Sequence, residues 1–324
     1  MKTPYFWQKK FNIFDIILIP ISIIYILLCL LNRMLKKEKK IKIPVICIGN
    51  LVIGGAGKTP TVSAISKLLL NDFEFIHILL RGYKGKNKKA KLIDSNDNVK
   101  NVGDEALIHF KNNPVCISRN RYLGAKLCQK NGADLIILDD GFQSKHVFKN
   151  LSFIVLDNNY QFGNRKVFPA GPLREPLNFG LKRADALIVI KNSKNLDFDL
   201  SLSKLPIFFA KKKIILPKLK TQDVLAFCGI GNPENFFSSL VENKINIRQK
   251  LIFSDHHFYS DNQIKSIIKK GDKKKLQIVT TKKDFIKINK KFHSKIKMVD
   301  MHIQFKEKYK LREFIMSKIE KIKI

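Results

Sequence analysis

One stretch of the chain carries residue types and a spacing that point to phosphate chemistry. The apolar run Val45-Ile46-Cys47-Ile48-Gly49-Asn50 reads as the end of a buried strand. It leads through Leu51 into Val52-Ile53-Gly54-Gly55-Ala56-Gly57-Lys58-Thr59-Pro60, and then into a helical apolar spacing at Val62, Ile65, Leu68 and Leu69. Strand, glycine loop, Lys-Thr and helix are the context a nucleotide phosphate loop needs. Glycines let backbone N–H groups approach phosphate oxygens, and the helix N-terminus adds partial positive charge. Lys58 would reach the β and γ oxygens, while the Thr59 hydroxyl can ligate Mg²⁺. Val52 occupies the place of the first glycine in G-x-x-x-x-G-K-T, and Ile53 stands where one branch of these ATPases carries a second lysine. A glycine turn opening an ordinary helix is the competing reading.

Acids follow at useful distances. Asp134 to Leu138 is an apolar strand that ends in Asp139-Asp140-Gly141-Phe142-Gln143. A carboxylate at the end of a strand beside a phosphate loop holds Mg²⁺ directly or through water. Gly103-Asp104-Glu105 opens an amphipathic segment (Ala106, Leu107, Phe110), where two acids serve equally well as helix caps. Ser254-Asp255-His256-His257 is the densest histidine site, and adjacent side chains diverge too far to wrap one metal. A histidine paired with a carboxylate is its better functional reading. In Pro169-Ala-Gly-Pro-Leu-Arg174-Glu175-Pro176, prolines stiffen a loop from which Arg174 could clamp an anion, or simply pair with Glu175. Thr281-Lys282-Lys283-Asp284 has the form of the guanine-reading T-K-x-D of GTPases, which keeps GTP open as an alternative nucleotide.

Short apolar runs position these groups. They are Pro44–Ile48, Phe75–Leu80, Asp134–Leu138, Phe153–Leu156, Ala186–Ile190, Val224–Cys228 and Gln277–Thr280. Runs apolar on both faces read as parallel strands covered by helices. Lys191 to Thr221, rich in Lys and Ser, reads as a linker. The predicted architecture is an α/β phosphate-loop domain over residues 41–215 and a smaller α/β domain over 216–324. Residues 1–40 would be a hydrophobic anchor with a basic flank.

That anchor rests on Phe11 to Leu31, about 21 mostly apolar residues that would reach ~31 Å as a helix, the thickness of a bilayer core. Asp15 and Pro20 make a plain spanning helix uncomfortable, so it could cross the membrane or lie in the interface. Cations flank both ends (Lys9 and Lys10, then Arg33, Lys36 and Lys37), which specifies orientation poorly. The 324 residues carry 61 Lys+Arg against 27 Asp+Glu, a formal charge of +34 that suits anionic lipid, a phosphorylated substrate or nucleic acid. No nucleic-acid recognition motif accompanies it, so none is expected as a partner. Five scattered cysteines without a C-x-x-C pair argue for a reducing compartment.

Taken in chain order, Gly49-Asn50-Leu51, Gly54 to Pro60, Arg81-Gly82-Tyr83, Gly103 to Ala106, Asp139 to Gln143, Pro169 to Pro176, Gly229-Ile230-Gly231-Asn232-Pro233, Asp255-His256-His257 and Thr281 to Asp284 form one set. It resembles the tetraacyldisaccharide 4′-kinases, the lipid A kinases of Gram-negative bacteria, over nearly the whole chain. The resemblance implies a P-loop α/β domain, a smaller α/β domain and an active site between them. It implies transfer of the ATP γ-phosphoryl to the 4′-hydroxyl of a tetraacylated disaccharide 1-phosphate, at the cytoplasmic face of the inner membrane. By motif, Asp104 would be the acid–base residue, paired with His256 or His257. Lys58, Thr59, Glu105, Asp139, Asp140 and Gln143 would surround ATP and Mg²⁺, with Asn50, Arg121, Arg174 and Glu175 at the acceptor. Two departures stand out: Phe142 replaces an aliphatic residue, and a lysine of the Lys282-Lys283 pair replaces an acid. Neither departure is expected to touch a catalytic group.

Overall fold

The computed structural model describes residues 4–9, 12–191 and 204–320. Its centre is a 12-stranded sheet, and all seven expected runs are strands in it. In the first half, β1 (Val45–Gly49) lies between β5 (Leu135–Asp139) and β6 (Leu151–Asp157). Next to β5 come β2 (Ile76–Leu80), β4 (Val115–Ile117) and the short edge strand β3 (Lys91–Leu92). Beyond β6 lie β7 (Ala186–Lys191) and β8 (Ile207–Ile215). Apart from β3, these strands are parallel, and every residue of β1, β2 and β5 is buried, as helices on both faces demand.

The second half continues the same sheet. β12 (Ile296–Phe305) pairs antiparallel with β8, and then β11 (Gln277–Thr281), β9 (Asp223–Cys228) and β10 (Asn246–Ile252) follow in parallel. The strands of the two halves therefore run in opposite senses. The reading of Lys191 to Thr221 as a linker is corrected over residues 207–215, which form β8; its residues 192–203 lie outside the described part. Lys211, Lys212 and Lys213 disguised that strand. β8 buries only part of itself, and Lys212 Nζ reaches Asp157 at 2.8 Å.

Helices α2 (Lys58–Leu68), α3 (Val99–Val102), α4 (Asp104–Phe110), α5 (Arg121–Lys130) and α6 (Leu177–Leu181) belong to the first half. The second holds α7 (Pro233–Glu242), α8 (Asp261–Lys273) and α9 (Lys282–Phe285). The terminal helix α10 (Lys308–Glu320) crosses back: Leu311 and Ile315 join the core of Ile46, Ile65 and Phe153. Burying those side chains stabilises the join by about 1.5–3 kcal/mol each.

The apolar N-terminal run forms α1 (Ile13–Met34), capped by the Asn12 side chain. Asp15 and Ser22 face the body. Asp15 is fully buried and meets Lys166 Nζ at 3.0 Å; Ser22 Oγ donates to Val167 O and accepts from Ala170 N. Trp7 donates from Nε1 to Pro169 O, and at the far end Lys145 Nζ donates to Arg33 O. Ile17, Ile24 and Leu28, by contrast, are exposed. The discomfort of Asp15 in an apolar helix is resolved by pairing it with the protein.

Candidate active site

The phosphate loop is held from outside by the proline-rich loop. Ile53 N donates to Pro172 O, Arg174 N donates to Leu51 O, and Val52 bridges Leu173. Val52 thus has a strand-like role where a glycine is usual. Gly57 caps α2 with φ 85°, and a side chain there would press Ile190 at 2.6 Å. Lys58 opens α2 with its Nζ 3.7 Å from Asp140 Oδ2, while burial lowers its pKa against the pull of Asp140.

The same strap brings Arg174 to the loop mouth. Its Nη1 donates to Asp140 Oδ1 at 2.8 Å. Burial alone would raise the Asp140 pKa, but Lys58 and Arg174 outweigh it and hold the carboxyl below the usual range. Arg174 therefore does not pair with Glu175, which instead meets Arg183. Gln143 donates to Asn50 O at 2.9 Å and to Glu175 Oε1 at 3.2 Å. Phe142 is explained by its surroundings: it packs on Gly49, and the Arg183 guanidinium lies 4.6 Å over its ring. Arg121 is buried, its pKa pushed down to about 10 by desolvation, and its Nε has no hydrogen-bond partner among the described residues.

Asp139 ends β5 beside the loop. Its Oδ2 lies 2.9 Å from His109 Nε2, and His109 Nδ1 lies 3.3 Å from Ser63 Oγ on α2. His109 was not anticipated from sequence; the signal was its place three residues after Ala106, on the buried face of α4. Asp139 Oδ1 is buried without a hydrogen-bond partner among the described residues. Glu105 nearby is pushed up in pKa by burial and then by the Asp139 charge. No group of three or more acidic, His or Cys ligands exists among the described residues. Mg²⁺ needs no such cage, since it keeps waters and uses phosphate oxygens with one or two carboxylates. The orphaned Asp139 oxygen and the neighbouring Glu105 fit that need, while Asp140 is already engaged by two cations.

Across the cleft, Asp104 Oδ2 lies 2.7 Å from His256 Nδ1. Asp104 stands at the start of α4, where its Oδ1 accepts from Glu105 N. Burial would raise its pKa, but the His256 hydrogen bond and Lys283 outweigh burial and lower it. His256 has φ 58°, a strained backbone for a histidine, secured by its N–H donating to Gly229 O. The Tyr83 ring meets the imidazole edge-on at 5.5 Å, and Lys84 Nζ donates to Asp255 O. His257 turns away to Gln263 and stacks on Phe253, so His256 is the partner.

The expectation that neither lysine of Lys282-Lys283 touches a catalytic group is corrected. Lys282 pairs with Asp300, but Lys283 Nζ stands 3.1 Å from His256 Nε2. Adjacent residues on the short α9 diverge, so one lysine of two reaches the site. Asp284 is fully buried and takes hydrogen bonds from Gly229 N, Tyr259 Oη and Thr281 Oγ1. Lys287 pairs with it too, which leaves no carboxylate to read a guanine.

Lys58, Glu105, Asp139, Asp140, Arg174, His256 and Lys283 line one cleft of about 2990 Å³, with room for a nucleotide and a sugar head group together. A cleft of this build belongs to a P-loop phosphotransferase: one half carries the phosphate loop with Lys58, and the other brings the His256 imidazole to Asp104. The profile of the family described as Tetraacyldisaccharide-1-P 4′-kinase matches residues 14–320. The tetraacyldisaccharide 4′-kinase of a Bradyrhizobium strain is 37% identical over 295 residues, covering 89% of this chain and 88% of its own. That of Bradyrhizobium diazoefficiens is 36% identical and covers 97% and 96%. The crystal structure of LpxK from Aquifex aeolicus in complex with ATP superposes with a TM-score of 0.78 at 27% identity, over 95% of this chain and all of that one. The chain belongs to the tetraacyldisaccharide 4′-kinase family.

Proposed function

We propose that this chain transfers the γ-phosphoryl of ATP to the 4′-hydroxyl of a tetraacylated disaccharide 1-phosphate, at the cytoplasmic face of the inner membrane. The observation that carries the reading is the 2.7 Å contact of Asp104 with His256, which lines the same cleft as Lys58. Asp104 accepts the hydroxyl proton as the sugar oxygen attacks the γ phosphorus; the bond to the bridging β–γ oxygen breaks and ADP leaves. A base so placed contributes about 10²–10⁴-fold. His256 orients the carboxylate. Lys58 and the backbone N–H groups of residues 52–59 hold the triphosphate in line. Asp139, Glu105 and Thr59 would hold Mg²⁺, which when bound neutralises β/γ charge. Asn50, Arg174 and Glu175 would form the acceptor side, with Arg121 beneath; Gln143, expected beside Mg²⁺, is hydrogen-bonded to Asn50 and Glu175 and is assigned with them instead.

The domains follow from this assignment: anchor over 1–40, phosphate-loop domain over 41–215 and smaller α/β domain over 216–324, with α10 packed back on the first. By length and composition α1 can cross a bilayer. Its contacts favour lying in the interface instead. The body grips α1 at both Asp15 and Arg33, and a spanning helix would drag the polar loop 163–173 into hydrocarbon. An enzyme docked in this way lifts only the sugar head group from the membrane.

Purified full chain, given detergent-dispersed disaccharide 1-phosphate and ATP with Mg²⁺, should give the 4′-phosphorylated product. No transfer from any nucleotide to that acceptor rejects the reading.

A further inference from the structure

Lys283 stands where two halves of the site meet. Its Nζ lies 3.1 Å from His256 Nε2, 3.8 Å from Asp255 Oδ1 and 3.9 Å from both Asp104 Oδ2 and Glu105 Oε1. It is on α9, whose position is fixed from below. The Thr281 side chain caps the helix, and buried Asp284 pins it to Gly229 at the end of β9 and to Tyr259. Lys283 is thereby aimed at α4 while Lys282 turns to Asp300.

An ammonium has three donors and no acceptor, whereas a neutral imidazole has one of each. A lysine against Nε2 must therefore meet the lone pair of that nitrogen, and the ring proton is left on Nδ1, facing Asp104. No acid competes for Nε2, because Asp255 Oδ1 is 3.8 Å from it, beyond hydrogen-bond reach. We infer that Lys283 is a positioning residue for phosphoryl transfer: its ammonium on His256 Nε2 fixes the imidazole as the Nδ1–H tautomer that donates to Asp104. The inference rests on the kinase reading above and adds to it what holds the histidine in its working form.

This assignment makes the lysine matter in a way that a simple ion pair between two halves would not. With Lys283 absent, the ring is free to carry its proton on Nε2 and to turn a lone pair toward Asp104, so two acceptors would face one another. Asp104 would lose the donor that orients it, and ATP, bound on the other side of the cleft, would be unaffected.

The test labels histidine with ¹⁵N in the full-length chain and reads the imidazole nitrogens in mildly alkaline buffer, with His256→Gln assigning the signal. The wild-type chain should show His256 protonated on Nδ1 alone. Lys283→Met should lose that single tautomer and lower kcat by about 10–100-fold, with KM for ATP within about twofold. Lys283→Arg should keep the tautomer and recover most of the turnover. A proton on Nε2 in the wild-type chain, or a Lys283→Met chain unchanged in both spectrum and kcat, overturns the inference. If Lys283→Met does not fold, the wild-type and Lys283→Arg spectra still decide it. Failure of the kinase reading looks different: no phosphoryl transfer by the wild-type chain, whatever the tautomer.

Discussion

Asp104 and His256 are 152 positions apart in the chain, and their side chains meet at 2.7 Å. Each half contributes one member, so the pair exists only when the halves are docked. With Asp104 in its proposed role, this suits an enzyme that must not spend ATP on water, because the base is complete only with the cleft assembled. Asp104→Asn keeps the shape but cannot accept the hydroxyl proton. Turnover should fall by about 10²–10⁴-fold while ATP still binds. His256→Gln should also lower turnover, and the double variant should fall by less than the product of the two losses, since the residues act as a unit. Steady-state kinetics beside ATP titration checks all three. Unchanged turnover in Asp104→Asn removes this residue from the base role.

Lys58 makes a different prediction, because the proposed mechanism sets it against the nucleotide rather than the acceptor. Its removal takes a cation from the triphosphate and leaves Asp140 with Arg174 alone. Lys58→Ala should weaken ATP binding and lower kcat together, kcat by about 10²–10³-fold. Equilibrium binding of a non-hydrolysable analogue, compared with turnover, tests it; a variant that binds ATP as tightly as wild type would contradict the assignment.

What could be read in advance followed burial. Strands apolar on both faces, such as β1 and β5, announce themselves, and so does a glycine loop followed by Lys-Thr. β10 and β12 have one wet face, and β8 carries Lys211 to Lys213, so their composition imitates loops. The site followed the same rule. Asp104, Lys58 and Asp139 lie in local motifs, whereas His109 looks like one more residue on an amphipathic helix. Lys283 hides among 61 basic residues, and only tertiary distance separates it from Lys282. The exchange of Glu175 from Arg174 to Arg183 likewise depends on where α6 ends, which spacing does not encode.

His77 gives a pH prediction away from the site. It is buried on β2, and desolvation lowers its pKa, with Asp134 only partly opposing. The unfolded chain takes up this proton near the ordinary imidazole value of about 6.5, and the native chain only at lower pH. The unfolded state therefore binds more protons as pH drops through about 6.5, and stability falls there, by at most about 1.4 kcal/mol per unit. Denaturant melts of His77→Phe and wild type across that range should show a shallower pH slope for the variant. Parallel slopes would mean that His77 is not the group responsible.

The docking of α1 predicts depth in the membrane. Ile17 and Leu28 are both exposed on this helix, 11 residues and thus about 16 Å apart along it. If α1 lies in the interface, with Asp15 and Arg33 both tied to the body, labels at these two positions sit at similar depth. If it spans, they differ by most of that distance. Spin labels at Ile17→Cys and Leu28→Cys, in a chain with Cys29 replaced by serine, can be read against quenchers at known lipid depths. A second pair of variants separates attachment from chemistry. Ile17→Asp with Ile24→Asp should release the chain from anionic vesicles, because two carboxylates then enter the apolar face. Turnover on fully detergent-dispersed acceptor should change little, as neither residue lines the cleft. A large depth difference would replace the interfacial arrangement with a spanning one. It would then require the loop at Lys166 to leave Asp15, which its 3.0 Å contact opposes.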